Sequence, residues 1–152
     1  MNTNLLFQYC PKIAIFRGDS VLVARRAGEA DLDSIFTLVG GKVERTDPSV
    51  IQGIFRELGE EIGNKVQIRI LSTYSTHREF LKADGSRMIL PHFYAEFISG
   101  DIKLNEEYSE YRWMSLADLT APDVLDNIAD ICRDLLRLKS LANEQDFINY
   151  PG

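Results

Sequence analysis

Three carboxylates are predicted to lie on one side of a short helix near the middle of the chain. In the stretch RELGEEIG, Glu57, Glu60 and Glu61 fall within about 100° of one another, because a helix rotates by about 100° per residue. The neighbouring arc of this helix is apolar and consists of Val50, Ile51, Ile54, Phe55, Leu58 and Ile62. The pattern therefore predicts a helix with one core side and one acidic side.

The acidic side breaks several rules of helix stability together. Glu57 and Glu61 are like charges four residues apart, which costs about 0.2–0.5 kcal/mol. Glu60 and Glu61 also lie in the last turn, where the helix end is already partially negative. Local conflicts of this kind are expected at functional sites, and a bound divalent cation would reverse the sign of the carboxylate repulsion.

The residue types indicate which cation this would be. Carboxylates without nearby histidine or cysteine are hard oxygen ligands, suited to Mg²⁺, Mn²⁺ or Ca²⁺ rather than zinc. Mg²⁺ usually takes one or two carboxylates, keeps several waters and accepts phosphate oxygens from a substrate. Taken alone, E-x-x-E-E also fits a solvated acidic face, which is common. The flanking residues distinguish the two interpretations.

The flanks resemble the signature of the Nudix hydrolases, G-x5-E-x7-R-E-U-x-E-E-x-G-U, where U is apolar. In GGKVERTDPSVIQGIFRELGEEIG the matching residues are Gly41, Arg56, Glu57, Leu58, Glu60, Glu61 and Gly63, with Gly40 supplying the usual doubled glycine. Asp47 stands in place of the first glutamate, and the loop from there to the arginine is one residue longer. Asn64 occupies a position where an apolar residue is expected.

The resemblance implies a fold and an activity. The fold would be α+β (mixed α/β), a Nudix-type α/β/α sandwich with a central mixed sheet, formed by one domain over residues 1–152. The activity would be that of a Mg²⁺-dependent pyrophosphohydrolase, an enzyme acting on acid anhydrides, for which Mn²⁺ can substitute. The bond cleaved would be a phosphoanhydride of a nucleoside triphosphate or of a nucleoside diphosphate linked to another moiety.

Two alternatives remain open. A nucleotide-sensing module can use this fold without catalysis, although such modules typically lack the helix glutamates. A prenyl-diphosphate isomerase shares the fold but needs a catalytic cysteine, and neither Cys10 nor Cys132 is expected near the site. Both thiols are expected to be free and to pack as small core residues.

The resemblance also implies a metal-ligand set and a general base. The ligands would be the carbonyl of Gly40 and the carboxylates of Glu57, Glu60, Glu61 and Glu107. The base would be a glutamate of the signature helix or one from a later loop. Glu107 is the later candidate, because NEEYSEYRWMSLADL is similar to the family's E-H-x-E-x-x-W-x-x-x-x-x-L region, with Tyr108 in place of the histidine.

Other residues near the signature are assigned less directly. Glu106 and Glu110 are rivals to Glu107 as the base, and an exposed loop acid is the alternative for all three. Arg56 is expected to orient the carboxylates through charge-assisted hydrogen bonds. Lys42 is placed to reach a phosphate or to remain exposed. Gly53 leaves room either for metal and phosphate or for close helix packing.

Composition limits the partners. A chain of 152 residues with 45% apolar content can form one buried core. A net charge of −6 argues against binding to nucleic-acid polymers, so the expected partner is a small nucleotide. There is no apolar run near the roughly 20 residues of a membrane span, and no secretory signal, so a cytoplasmic location is expected. Dimerisation is common among family members, and a homodimer remains open.

The remaining pattern alternates strands with two helices. The signature helix is predicted to begin at Asp47 and Pro48, with a Ser49 capping box as the alternative, and to end at Gly63. Further elements are predicted as strands at 12–16, 20–25, 35–39, 66–75, 88–98 and 111–114, a surface loop at 27–34, a turn at 83–86, an acidic loop at 106–110, a helix at 122–138 and a flexible tail at 143–152. Pro91 indicates a bulge or an edge position in its strand.

Overall fold

A computed structural model describes residues 2–28 and 32–152. Its strands are β1 (Gln8–Tyr9), β2 (Lys12–Arg17), β3 (Ser20–Arg26), β4 (Phe36–Thr37), β5 (Val66–Leu71), β6 (Thr76–Leu81), β7 (Arg87–Gly100), β8 (Tyr108–Ser115) and β9 (Phe147–Tyr150). Its helices are α1 (Val50–Ile62) and α2 (Ile128–Ser140), with short 3₁₀ helices at Asp118–Thr120 and Glu144–Asp146. The predicted hairpin of β2 and β3 is confirmed. The predicted loop at 27–34 lies partly outside the described residues.

Within the described residues the strands form one mixed nine-stranded sheet. The main order is β4-β3-β2-β7-β5-β9, while β8 pairs with β3, and both β1 and β6 pair with β7. Strand β7 runs parallel to β1 and β2 and antiparallel to β5 and β6. The long β7 therefore connects the two halves of the sheet.

Two apolar cores lie on opposite faces of this sheet. Alternate residues of β2 show the division, because Ala14 and Phe16 pack with α2 whereas Ile13 and Ile15 pack with α1. One helix thus covers each face. The predicted α/β/α sandwich with a central mixed sheet is confirmed.

Helix α1 begins at the second of the two predicted starts, the one capped by Ser49. Ser49 is the N-cap, and its hydroxyl accepts a hydrogen bond from the backbone N–H of Gln52 at 3.1 Å. Asp47 is not the cap, because its carboxylate is bound by an arginine of the helix. Gly63 ends the helix with a φ of 81°, as predicted.

The start of the last helix was predicted wrongly. Helix α2 begins at Ile128, six residues beyond Pro122. The intervening chain consists mostly of turns, with one isolated bridge between Val124 and Phe36. Phe36 donates from its backbone N–H to the carbonyl of Asp123 and accepts from the N–H of Leu125. These tertiary hydrogen bonds replace the first turns of the predicted helix.

The predicted flexible tail at 143–152 is also wrong. Residues Phe147–Tyr150 form β9, which pairs antiparallel with β5. Tyr150 is buried, and its hydroxyl donates to the carbonyl of Gly63 at 2.9 Å. The chain beyond 143 therefore packs against the end of helix α1.

Three strand predictions need smaller corrections. The strand predicted at 66–75 ends at Leu71, and β8 begins at Tyr108, inside the predicted acidic loop. Pro91 is not at a sheet edge, because it faces His77 of β6 on one side while the pairing on the other side passes from β1 to β2. The predicted turn at 83–86 is confirmed between β6 and β7.

In the described part of the chain, no helix has the length and apolar character needed to span a bilayer.

Candidate active site

The doubled glycine meets helix α1 at two of the predicted carboxylates. The backbone N–H of Gly40 donates to Glu61 Oε1 at 3.2 Å. A methyl group at position 41 would lie 2.4 Å from Glu57 Oε2, so a side chain at Gly41 would collide with that carboxylate. Gly40 itself has a φ of 124°, and a methyl group there would lie 2.3 Å from the carbonyl oxygen of Pro11. The backbone therefore requires glycine at position 40, whereas a side chain at position 41 would displace the Glu57 carboxylate.

Glu61 is a buried acid. Its side chain is 1% exposed and accepts a hydrogen bond from the hydroxyl of Tyr108. Burial, together with a smaller contribution from a hydrogen bond with the Glu57 carboxyl group, raises the pKa of Glu61 to about 7. The charge of Lys12 and the bonds from Tyr108 and Gly40 oppose this rise. Two carboxyl groups thus share a poorly hydrated position, which is typical of a functional site.

Lys12 supplies a positive charge at this position, and it was missed by sequence analysis. Its ammonium group donates to the carbonyl oxygen of Gly40 at 2.7 Å. The carbonyl concerned is the one predicted as a metal ligand. The only sequence signal is a charged residue at the start of the apolar strand KIAIF, 28 positions before its partner. No short spacing rule connects the two.

Arg56 contacts the Glu57 carboxylate, in keeping with the predicted orienting role, and also binds the signature loop. Its guanidinium donates to both carboxylate oxygens of Asp47, at 2.8 and 3.0 Å, and to the carbonyl of Lys42 at 3.0 Å. It also donates to Glu57 Oε1 at 3.1 Å. The bidentate contact lowers the pKa of Asp47 to about 2. Asp47, which replaces the first glutamate of the signature, therefore ties the loop to the helix.

The other predicted ligands lie further out. The side chain of Glu60 is 51% exposed and lies 3.4 Å from the Arg56 guanidinium. Glu107 is exposed in the turn before β8, next to Tyr108, and Glu106 beside it is exposed as well. The structure therefore brings Gly40, Glu57 and Glu61 together but not Glu60 or Glu107.

Glu110 does not resemble a free base. It lies on β8 and forms ion pairs with Arg25 at 3.0 Å and Arg112 at 2.9 Å. Its carboxylate is therefore already paired with two guanidinium groups, one of them on the neighbouring strand β3. Of the three later-loop acids, Glu106 and Glu107 remain candidates.

The oxygen atoms at the doubled glycine suit a hard cation, although they are not arranged as a complete set of metal ligands. Across residues 2–28 and 32–152, no three His, Cys, Asp or Glu side chains stand in a geometry ready to hold a metal ion. The groups at the doubled glycine are nevertheless all oxygens, and one of them already binds the ammonium of Lys12. Two carboxylates and a carbonyl that binds a cation fit Mg²⁺ or Mn²⁺ better than zinc.

Cys10 lies closer to the site than predicted. The thiol is buried, and the charges of Glu57 and Glu61 contribute to raising its pKa, after the larger effect of burial itself. The expectation that neither cysteine is near the site is wrong for Cys10, because strand β2 begins directly after it beside Gly40. Burial also raises the pKa of Cys132, which lies on the buried face of α2.

Lys42 is exposed, and its ammonium group lies beside that of Lys82, which lowers the pKa of Lys42. Lys82 begins the turn between β6 and β7, so this hairpin approaches the signature loop. Two ammonium groups in contact repel each other and would be stabilised by an anion. The predicted role of Lys42 near a phosphate therefore gains a second cation.

Two glycines of helix α1 make a matched pair of tests. A methyl group at Gly53 would lie 2.9 Å from both Asp47 Oδ2 and Val43 Cγ1, whereas at Gly59 it would meet only the Tyr150 hydroxyl at 3.5 Å. Gly53→Ala is therefore expected to destabilise the protein and lower its activity. Gly59→Ala is expected to stabilise it by up to about 1 kcal/mol with activity unchanged. Urea unfolding measures both. Equal changes in the two variants would contradict close packing at Gly53.

Comparison with known proteins gives consistent results. The NUDIX domain family model matches residues 11–135. A nucleoside triphosphatase, NudI of Escherichia coli O81 (strain ED1a), is 32% identical over 113 residues, covering 70% of this chain and 77% of that protein.

Solved structures share the fold. The MutT protein from Methanosarcina mazei Go1 superposes with a TM-score of 0.68 at 23% identity, covering 91% of this chain and 99% of that one. An Ap4A hydrolase from C. elegans gives a TM-score of 0.65 at 16% identity, covering 89% and 99%.

Proposed function

The chain belongs to the Nudix hydrolase family, and from this we propose that it is a Mg²⁺-dependent pyrophosphohydrolase acting on nucleoside triphosphates. Hydrolysis would break a phosphoanhydride bond. The oxygen of water attacks phosphorus, the bridging oxygen leaves with the departing phosphate or nucleotide, and a carboxylate accepts the proton of the water.

One observation carries the proposal. Glu57 and Glu61 lie against Gly40 and Gly41, where the glycines leave no room for any side chain and a cation already occupies the Gly40 carbonyl. A solvated acidic face would not bury one carboxylate almost completely. The burial of Glu61 therefore supports a ligand-binding role over the simpler interpretation.

The metal would be held by the carbonyl of Gly40 and by Glu57 and Glu61, with Glu60 and Glu107 approaching from the exposed side. When bound, Mg²⁺ supplies positive charge for the phosphate oxygens and acidifies water. This assignment follows the donor types at the doubled glycine. All of them are oxygen atoms, as a hard cation requires.

The remaining residues position these groups. Arg56 fixes Glu57 and the loop, and the Tyr108 hydroxyl fixes Glu61. Lys42 and Lys82 lie beside each other, and their two positive charges would pair with the phosphates of a substrate. We assign the general base to Glu107, because it is exposed beside Tyr108, whereas the Glu110 carboxylate is held by two ion pairs.

The substrate class is supported by the nucleoside triphosphatase that is 32% identical to this chain. The fold alone would not decide it, since folds host many activities. A nucleoside diphosphate linked to another moiety presents the same phosphoanhydride and is the second class to test.

A nucleotide panel tests the proposal. The purified protein is incubated with nucleoside triphosphates, nucleotide sugars and dinucleoside polyphosphates, with Mg²⁺ or with EDTA, and phosphate and pyrophosphate are measured separately. We expect Mg²⁺-dependent release from at least one triphosphate and none in EDTA. Binding of a nucleotide without turnover, detected as a rise in Tm, would instead indicate a sensing module.

A further inference from the structure

Lys12 contacts the doubled glycine of the candidate active site. Its ammonium group is 2.7 Å from the carbonyl oxygen of Gly40, whose N–H binds Glu61. The charge of Lys12 is also the largest opposing influence on the raised pKa of Glu61. A single side chain thus supplies positive charge to both the carbonyl and the buried carboxylate.

The position of this lysine is fixed by the fold. Lys12 begins β2 and lies in register with His92 of β7, a buried histidine. The backbone of Gly40 approaches the backbone of Pro11 and Lys12 so closely that a methyl group would collide there. The packing of these two backbone segments therefore keeps the Lys12 ammonium group close to the Gly40 carbonyl.

A divalent ion and this ammonium group would compete for the same oxygen. A cation bound by the Gly40 carbonyl would stand beside a second positive charge, and like charges in a poorly hydrated site repel strongly. The Lys12 ammonium group would therefore oppose binding of the metal, and its displacement would relieve the repulsion.

We propose that Lys12 is a built-in counterion that holds the acidic site together in the metal-free protein and is displaced from the Gly40 carbonyl when the metal binds. The proposal rests on the metal site of the proposed function. It makes Lys12 a positioning residue that sets the affinity for the metal. Removing its charge should strengthen metal binding, the opposite of what loss of a structural contact would do.

The test measures Mn²⁺ binding in the absence of nucleotide, by calorimetry or by the electron paramagnetic resonance of free Mn²⁺. The Kd of Lys12→Gln should fall by about tenfold or more, the size expected when one charge-assisted hydrogen bond no longer has to be broken. Lys65→Gln removes the same charge from an exposed position and serves as the control, with a Kd close to that of the unaltered protein. In EDTA, Lys12→Gln should melt at a lower temperature than the unaltered protein.

The outcomes separate the two proposals. Mn²⁺ binding with equal Kd in the unaltered protein and Lys12→Gln, or weaker binding in the variant, would overturn the role of Lys12 and leave the proposed function intact. Absence of Mn²⁺ binding in every protein would overturn both. Lys12→Met repeats the test with an apolar side chain that cannot donate a hydrogen bond. Should neither variant fold, limited acetylation of the unaltered protein decides, because Lys12 should be labelled faster with Mg²⁺ than with EDTA.

Discussion

The Glu61→Gln variant is expected to lose at least about 100-fold in kcat at saturating Mg²⁺, the loss typical for removal of one preorganised electrostatic contact to a transition state. Glutamine keeps the shape of the side chain and can still accept from Tyr108 and from the N–H of Gly40. It lacks the negative charge that would hold a metal ion. Steady-state kinetics on the preferred nucleotide, with Mg²⁺ varied, measures the effect.

The same change is expected to stabilise the metal-free protein at neutral pH. The folded-state pKa of Glu61 is raised to about 7 from its ordinary value, so folding favours its protonated form. That contribution is complete below the unfolded-state pKa and is lost as pH rises through the folded-state pKa. In EDTA, the Tm of the unaltered protein should therefore fall between about pH 5 and about pH 8 relative to that of Glu61→Gln.

Glu60→Gln is the matched comparison, since Glu60 belongs to the same predicted ligand set but is half exposed. Its kcat should fall by a similar factor, whereas its Tm in EDTA should fall with rising pH as in the unaltered protein, because this variant keeps Glu61. Full activity in both variants would contradict the assignment of these carboxylates to the metal. If the Tm of Glu61→Gln varied with pH in the same way as that of Glu60→Gln, the buried Glu61 could not be the cause of the pH dependence.

Arg56→Gln is expected to lower kcat by about 10- to 100-fold, as is typical when a residue that orients metal ligands is removed. The substitution releases Glu57, the Lys42 carbonyl and both oxygens of Asp47 together. It should also lower the Tm, because the loop then loses its connection to helix α1. Kinetics with Mg²⁺ varied, together with thermal unfolding in EDTA, measures both effects.

Two control variants locate the origin of the effect. Arg56→Lys keeps the charge but not the planar fork, so it should recover only part of the activity. Asp47→Asn should lower the Tm further at neutral pH than at about pH 2, since the ion pair is lost as pH falls through the folded-state pKa. Full activity in Arg56→Lys would show that charge alone suffices and that the bidentate contact is dispensable.

The site was predictable where its residues are close in sequence. The spacing of Glu57 and Glu61 and the two ends of α1 follow from helical periodicity and capping rules. The conflict between four-residue carboxylate spacing and helix stability predicts a functional helix, and the burial of Glu61 agrees with that prediction. Sequence alone does not distinguish the buried Glu61 from the exposed Glu60, because the difference depends on where β-strands cover the helix.

The unpredicted features all depend on contacts between distant segments. Helix α2 starts late because Asp123 and Leu125 bond to Phe36, nearly 90 positions earlier in the chain. The tail becomes β9 because β5 offers it a partner, although its composition is polar. The contact of Lys12 was unpredicted for the same reason, because no local sequence pattern identifies a lysine that binds a distant glycine carbonyl.

The hairpin formed by β6 and β7 is built differently from the rest of the site. Phe80 and Leu81 expose their side chains at its end, and Lys82 next to them lies beside Lys42 of the signature loop. None of these three residues supports the carboxylates or the glycines. Substitutions confined to Phe80 and Leu81 are therefore expected to leave the carboxylates and the doubled glycine undisturbed.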